Sequence, residues 1–374
     1  FCLSRGLGDV YKRQDEQQPK PLYLMLLGTA GTGKTRAIQT CLQEIQDVLT
    51  AHGLPLDVVK TAAPTGSAAF NIRFQASTIH RLIHWFNPRT FKDLSDDNAQ
   101  MRLHTFQEFI QNTQLIFLDE VSMVGRQMMG RVAARMEQGK AENNPAGHPL
   151  GGLSCVCVGD PAQCEAIKDQ QLYDRKPHTD TENDASKRKV QLSNVGAAVY
   201  SRFDHVIVLT TCHRLKTIAD PKTPEEEAYN ERADKFLRTL HKLRDLDWTS
   251  DGYLWLCERK KSKLTLAERM RFKDAPRIMD YRRETDANPE QNCEYYNKCQ
   301  LRAHAREHDT PVLRFPAMHE GTSQEEGLKI ADANFNELPA YMEIAKEARV
   351  LLTSNLNVEQ GLLNGSQGLS LIHI

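Results

Sequence analysis

A lysine and a threonine close the run Gly28-Thr29-Ala30-Gly31-Thr32-Gly33-Lys34-Thr35, a spacing that fits GxxxxGK[ST]. Glycines in such a run let the backbone curl closely enough to aim several N–H groups at a phosphate, and a helix opening at its end adds the positive pole of its dipole. The Lys34 ammonium would then reach the β- and γ-phosphates of a nucleoside triphosphate, while the Thr35 hydroxyl would ligate Mg²⁺. A second chemical pair, Asp119 and Glu120, ends the segment LIFLDE at 115–120. Asp119 would hold Mg²⁺ through water, and Glu120 could accept the proton of an attacking water. Gln163, in Gly159-Asp160-Pro161-Ala162-Gln163, could sense a γ-phosphate, and Arg214, in Thr210-Thr211-Cys212-His213-Arg214, is a candidate arginine finger.

These residues need strands to hold them. Apolar runs predict parallel strands at 22–27, 58–63, 115–119, 153–158 and 205–209, with the chemical residues at their C-terminal ends, where ligands of open α/β sheets bind. Helical patterning covers 35–51, 66–72, 77–85, 104–112 and 124–137. The fold class is therefore α/β, a P-loop NTPase, with a first lobe over 15–194. Two polar stretches, 139–152 and 174–189, read as surface loops. The second part, 195–368, shows helical patterning around 225–246 and 290–307 and a strand at 348–354. Residues 1–14 and 369–374 match neither the pattern nor the composition beside them and resemble adapter sequence, so the remainder is expected to be an internal fragment of a longer protein.

Composition limits the partners. Lys and Arg number 48 and Asp and Glu 49, so a nucleic-acid site must come from a local groove, not from bulk charge. No apolar run approaches the roughly 18 to 20 residues that span a bilayer, and an intracellular protein is expected: nuclear or mitochondrial in a eukaryote, cytoplasmic in a bacterium. The nine cysteines are scattered, and Cys155 and Cys157, at strand spacing, share a face instead of forming a zinc-binding CxxC. Residues 258–277 carry eight basic side chains against three acidic ones, either a solvated helix face or a contact for a nucleic-acid backbone. Trp248, Tyr253 and Trp255 could stack bases or bury in a core.

The ordered motifs GTAGTGKT (28–35), APTGSAA (63–69), STIHRL (77–82), LDEVSM (118–123), GDPAQ (159–163), LTTCHRL (209–215) and NLNVEQGLLNGSQG (355–368) resemble those of superfamily 1 helicases. They are most similar to the PIF (petite integration frequency) branch of 5′-to-3′ DNA helicases, related to RecD-like enzymes. The resemblance implies a RecA-like lobe followed by an incomplete second RecA-like lobe, with ATP and Mg²⁺ between them and single-stranded DNA or DNA junctions as partners. It implies roles in repair, recombination or telomere maintenance. It assigns Gln163 to the γ-phosphate and Arg214 to the second lobe. Thr65, Gly66, Ser77, Thr78 and His80 match motifs along the DNA path, where hydroxyls and backbone N–H groups can hold phosphates; the alternative for them is a polar turn and helix caps. Asn355, Asn364 and Gly365 match a late motif that couples DNA to the ATP cleft.

Three departures stand out. Cys164-Glu165-Ala166-Ile167 replaces the family's Leu-Pro-Pro after GDPAQ. An adenine-recognising glutamine motif is not visible in 15–20, and the final motif with a second phosphate-facing arginine would lie beyond Gly368. An RNA or replication-transposon helicase of the same superfamily, or an inactive nucleotide-binding fragment, remains the alternative reading.

Overall fold

The computed structural model describes residues 20–85, 91, 94, 100–141, 144, 147–176, 184–215, 217–247, 250–273, 275–279, 292–318, 323–330, 339–358 and 360–371. Expectations for 1–14, for most of 15–20 and for Trp248 lie outside these residues.

The chain divides into two compact units, one comprising Phe1–Asp247 with Asn355–Leu363 and the other Trp248–Ser354 with Asn364–Ile374. In the first, the chain runs β1 (Tyr23–Gly28), α1 (Lys34–Ala51), β2 (Val59–Ala63), α2 (Gly66–Ile72), β3 (Ser77–Thr78), α3 (Ile79–Leu82), α4 (Gln100–Ile110), β4 (Leu115–Leu118), α5 (Arg126–Gly139), β5 (Ser154–Gly159), α6 (Asp184–Tyr200), β6 (His205–Leu209) and α7 (Pro224–Arg244). The six strands form one sheet in the order β3-β2-β4-β5-β1-β6, and every pairing in it is parallel. Parallel pairing requires a crossover between neighbours. β1, β4 and β5 are largely apolar and buried, whereas β2 carries Lys60 and Thr61, β3 is Ser77-Thr78, and β6 leaves Val206, Ile207 and Val208 exposed.

Alternation along the strands sorts their side chains between two cores. Tyr23, Met25, Ile116, Leu118, Cys155 and Cys157 enter the core shared with α4 and α5. Leu26, Leu115, Phe117, Val156 and Val158 enter the core shared with α1 and α2. Cys155 and Cys157 do share a face, buried, with their sulfurs 3.9 Å apart.

Several elements depart from the sequence expectation. The helix expected over 77–85 begins with two strand residues, because Ala62 and Ala63 pair with Ser77 and Thr78. Thr78 then caps α3, its hydroxyl accepting the Arg81 N–H at 3.4 Å. The start of α5 is set from a distance: the Asp169 carboxylate accepts the N–H groups of Gln127 and Met128, each at 3.1 Å. The polar stretch 174–189 is not all loop, since α6 begins at Asp184, and a boundary after residue 194 would cut this helix. Helices α5 and α6 approach so closely that a Cβ on Gly130 would meet the Leu192 carbonyl and one on Gly196 the Arg126 carbonyl.

The second unit contains α8 (Ser250–Cys257), α9 (Leu266–Arg271), α10 (Cys293–Glu307), β7 (Leu313–Pro316), α11 (Gln324–Gly327), β8 (Tyr341–Ile344), β9 (Arg349–Leu351) and β10 (Gln367–Leu369). Its strands pair only antiparallel, β7 with β8 and β9 with β10, so no parallel sheet exists among its described residues. Leu369, in the adapter-like stretch 369–374, pairs with Arg349, and the buried Ser370 donates its N–H to Ala348 O at 2.9 Å. Tyr253 is exposed and so does not enter a core. The basic run is solvated, with Arg259 on Glu268 at 3.0 Å. Among the described residues no helix is long and apolar enough to cross a membrane.

Replacing Gly196 with Val should lower the unfolding free energy by about 1–3 kcal/mol, because the backbones cannot separate without opening the core. Urea unfolding should show a lower midpoint with an unchanged slope.

Candidate active site

The loop between β1 and α1 carries the first group of candidates. Gly31 and Gly33 take φ of 85° and 90°, a left-handed conformation that side chains resist. A Cβ on Gly31 would lie 2.5 Å from the Cβ of Arg214, whereas one on Gly33 would meet nothing within 4 Å. The loop is pinned by Thr32 Oγ1, which donates to Thr29 O at 2.9 Å. Gly33 precedes α1 and offers no side-chain cap, and the first turn holds no acidic residue. The opening N–H groups thus meet no carboxylate of the helix itself, a setting that favours an anion. The half-buried Lys34 donates to Gly28 O at 2.7 Å and Thr29 O at 3.1 Å, so its ammonium already lies along the loop.

The acidic pair follows β4. Asp119 is 4% exposed, its N–H donates to Ala62 O at 2.9 Å, and its Oδ1 accepts the Glu120 N–H at 2.8 Å. Burial pushes its carboxyl from the ordinary 3.8 up to about 6; the Glu120 charge adds to the rise, while the Glu120 N–H and the Lys34 ammonium oppose it. Glu120 stands at φ 51°, ψ 45°, a left-handed conformation that is costly for a residue other than glycine and is commonly found at functional sites. This bend removes Glu120 from the alternation of β4 and lets two adjacent carboxylates take different roles.

β5 lies between β4 and β1, and its loop brings Gln163 to the same edge. Gln163 donates its side-chain amide to Asp160 Oδ2 at 3.4 Å. Asp160, also 4% exposed, accepts the Ala162 N–H at 3.2 Å and pairs with Arg244 at 3.1 Å. Cys164, where the motif departs from its family, is exposed. After β6, the segment 210–214 crosses the phosphate loop: His213 N–H donates to Gly31 O at 2.7 Å, and Cys212 Sγ lies 3.5 Å from Ala30 O. Arg214 thus belongs to the same compact unit as the loop, with its side chain exposed. Sequence reasoning missed Asp160 and Arg244 as partners of the Gln163 loop. Asp160 was visible within GDPAQ; Arg244 carries no local signal.

The residues expected along a DNA path divide differently. Thr65 Oγ1 accepts the Ala68 N–H at 3.2 Å and caps α2, as Thr78 caps α3, so both hydroxyls serve as caps in this structure. Ser77 Oγ donates to Thr78 O at 3.3 Å. His80 stacks on Trp85, with ring centroids 4.8 Å apart, and burial first, then Arg131, depresses its pKa. Gly66 meets Asn355: a Cβ there would stand 2.5 Å from Asn355 Oδ1. Residues 65, 66 and 355 are therefore together at the end of β2, with Ser77 and Thr78 on the neighbouring strand. Asn364 belongs to the second unit.

A phosphate chain and its cation fit this edge. The glycine cradle, the helix start without its own acidic group and the Lys34 ammonium suit phosphate, and Thr35 with Asp119 supplies hydroxyl and carboxylate oxygens suited to Mg²⁺. No cluster of three or more His, Cys, Asp or Glu exists among the described residues to hold a metal by protein side chains alone, and Mg²⁺ typically shares its shell with phosphate oxygens and water.

Fold and site together make the first unit a RecA-like P-loop NTPase domain, a six-stranded parallel sheet with its phosphate loop after β1 and its acidic pair after β4. A family model for an AAA domain matches residues 18–195, just under half of the chain. No curated protein matches. Among solved structures, the chain is similar to the Pif1 helicase of Candida albicans, with 19% identity over 94% of this chain and 65% of that one and a TM-score of 0.55. It is also similar to the Pif1 helicase from Bacteroides in complex with ADP-AlF3 and ssDNA, at 18% identity, 100% and 70% coverage and a TM-score of 0.53. A structure of two coordinating Pif1 helicases unwinding forked dsDNA gives 17% identity, 99% and 71% coverage and a TM-score of 0.53. These likenesses establish the fold.

The Asp119 carboxyl binds its proton more tightly folded than unfolded. Its contribution to stability is complete below pH 3.8 and is lost as pH rises through about 6, a loss of at most about 3 kcal/mol. Without nucleotide, Asp119→Asn should therefore be more stable than the wild type at pH 8 and equal to it near pH 4. Denaturant titrations at both pH values would read this, and a difference independent of pH would contradict it.

Proposed function

We propose that the chain is the ATPase-bearing part of a superfamily 1 DNA helicase of the PIF branch, which couples ATP hydrolysis to 5′-to-3′ movement on single-stranded DNA and to duplex unwinding. The observation that carries the reading is the gathering, at the C-terminal edge of adjacent strands in the order β4, β5, β1, of the Asp119–Glu120 pair, Gln163 and the Lys34 loop. The ssDNA in the complex of the similar Bacteroides helicase and the forked dsDNA unwound by two coordinating Pif1 helicases, together with the order of the seven motifs, support DNA as the partner. Service in repair, recombination or telomere maintenance, DNA junctions as partners and a second RecA-like lobe completing the ATP cleft belong to the same proposal and rest on motif resemblance. β6 and α7 belong to the first unit, so the span 195–368 as a whole is not that lobe.

Lys34 would exchange its carbonyl partners, Gly28 O and Thr29 O, for β- and γ-phosphate oxygens. Mg²⁺, held by Thr35 and Asp119, supplies positive charge to those oxygens when bound. That charge also favours the ionised form of Asp119, which burial alone disfavours. Glu120 accepts a proton from water as it attacks, Gln163 contacts the γ-phosphate, and Arg214 offsets charge developing there. Thr65, Gly66, Ser77, Thr78, His80, Asn355 and Asn364 would line the strand's path, the first several through backbone N–H groups, since the Thr65 and Thr78 hydroxyls already cap helices.

Hydrolysis of Mg²⁺–ATP should rise with single-stranded DNA oligonucleotides, and Glu120→Gln should lower turnover by about 100-fold or more while nucleotide still binds. Undiminished turnover in Glu120→Gln would remove the general-base role, and stronger stimulation by RNA than by DNA would replace the partner.

A further inference from the structure

The Asp160 carboxylate is the hub of a small network at the ATP edge. Its side chain is 6% exposed, and Arg244 Nη2 stands 3.1 Å from Oδ1. The Ala162 N–H also donates to Oδ1, at 3.2 Å, while Oδ2 accepts the Gln163 amide at 3.4 Å. A carboxylate can only accept, so the NH₂ end of Gln163 must be the end that faces it. One of the two amide N–H bonds is thereby spent, and the plane of the other is fixed. Arg244 is the last residue of α7, and no other cation pairs with Asp160 among the described residues. The stretch 210–244 consequently touches the cleft at both ends, at Gly31 through His213 and at Asp160 through Arg244.

Resting on the ATPase reading above, we propose that Arg244 is a positioning residue of the cleft: by holding Asp160 it orients the Gln163 amide toward a γ-phosphate, and so transmits the placement of α7 to the group that distinguishes ATP from ADP. Without the guanidinium, the buried carboxylate loses its counter-charge and turns to other donors, a change that releases the amide. A purely stabilising ion pair would leave nucleotide discrimination unchanged; this arrangement acts on one ligand group only.

The test compares equilibrium affinities of the full chain for ADP and for adenylyl-imidodiphosphate, both with Mg²⁺, alongside ATP turnover. Arg244→Met should weaken the imidodiphosphate about 5-fold, the value of one ordinary hydrogen bond, and leave ADP within about 2-fold. Arg244→Lys should recover most of that loss. Gln163→Ala should lose at least as much, and Arg244→Met added to it should cost nothing further, because both act on one contact. Wild-type discrimination in Arg244→Met, equal weakening of both nucleotides, failure of Arg244→Lys to recover, or a loss that adds in full to Gln163→Ala would each overturn the proposal. A wild-type chain that shows the expected pattern without turnover would reject the motor and keep the positioning role. Normal turnover with unaltered discrimination in Arg244→Met would reject the positioning role alone, and a wild type that binds neither nucleotide would reject both.

Discussion

Negative charge can be held on backbone N–H groups only where the chain bends tightly enough to aim several of them at one point, and here that bend depends on Gly31 and Gly33 at positive φ. The two positions are constrained for different reasons. Gly31 is crowded by Arg214 and Cys212, whereas Gly33 faces open space, so at Gly33 only the backbone conformation excludes a side chain. Much of the first unit serves that loop. β1 delivers it from between β5 and the edge strand β6, α1 carries it away with an uncapped first turn, and the segment after β6 crosses it through the His213 N–H.

Around the loop, charges are kept poised instead of fully neutralised. Asp119 is buried with a carboxyl raised to about 6, a state less stable than a neutral isostere above that pH and one that a nearby cation would reverse. Asp160 is as deeply buried but holds Arg244 and two further hydrogen-bond donors, the Ala162 N–H and the Gln163 amide, around it. The contrast separates a carboxylate prepared for a ligand from one prepared to orient its neighbours. Glu120, bent into a left-handed conformation beside Asp119, shows the local cost such a site accepts, a cost the packed strands beneath it can sustain.

Most of this edge was legible in the sequence because buried parallel strands are short apolar runs and their ends carry the chemistry. The strand expected at 205–209 is β6 residue for residue, and GxxxxGK[ST] marks the loop without ambiguity. The start of helix α6 was not legible because its first turns are polar. Its apolar period begins only at Leu192 and runs through Val195 and Val199, and its close approach to α5 depends on Gly130 and Gly196. The α3 region misled because Ser77 and Thr78 gain more from pairing with β2 than from extending a helix. The pairing of Arg244 with Asp160 could not be read at all, since contacts between residues so far apart in the chain depend on where α7 ends in space.

The central claim is that the loop after β1 is a phosphate site in which Lys34 exchanges two backbone carbonyls for phosphate oxygens. Its most direct test is the affinity for Mg²⁺–ATP of this chain and of Lys34→Ala, read by displacement of a fluorescent nucleotide. The account predicts saturable binding that weakens at least about 10-fold in the variant, as expected for loss of a charge-assisted contact. Equal affinity in the two proteins would contradict it.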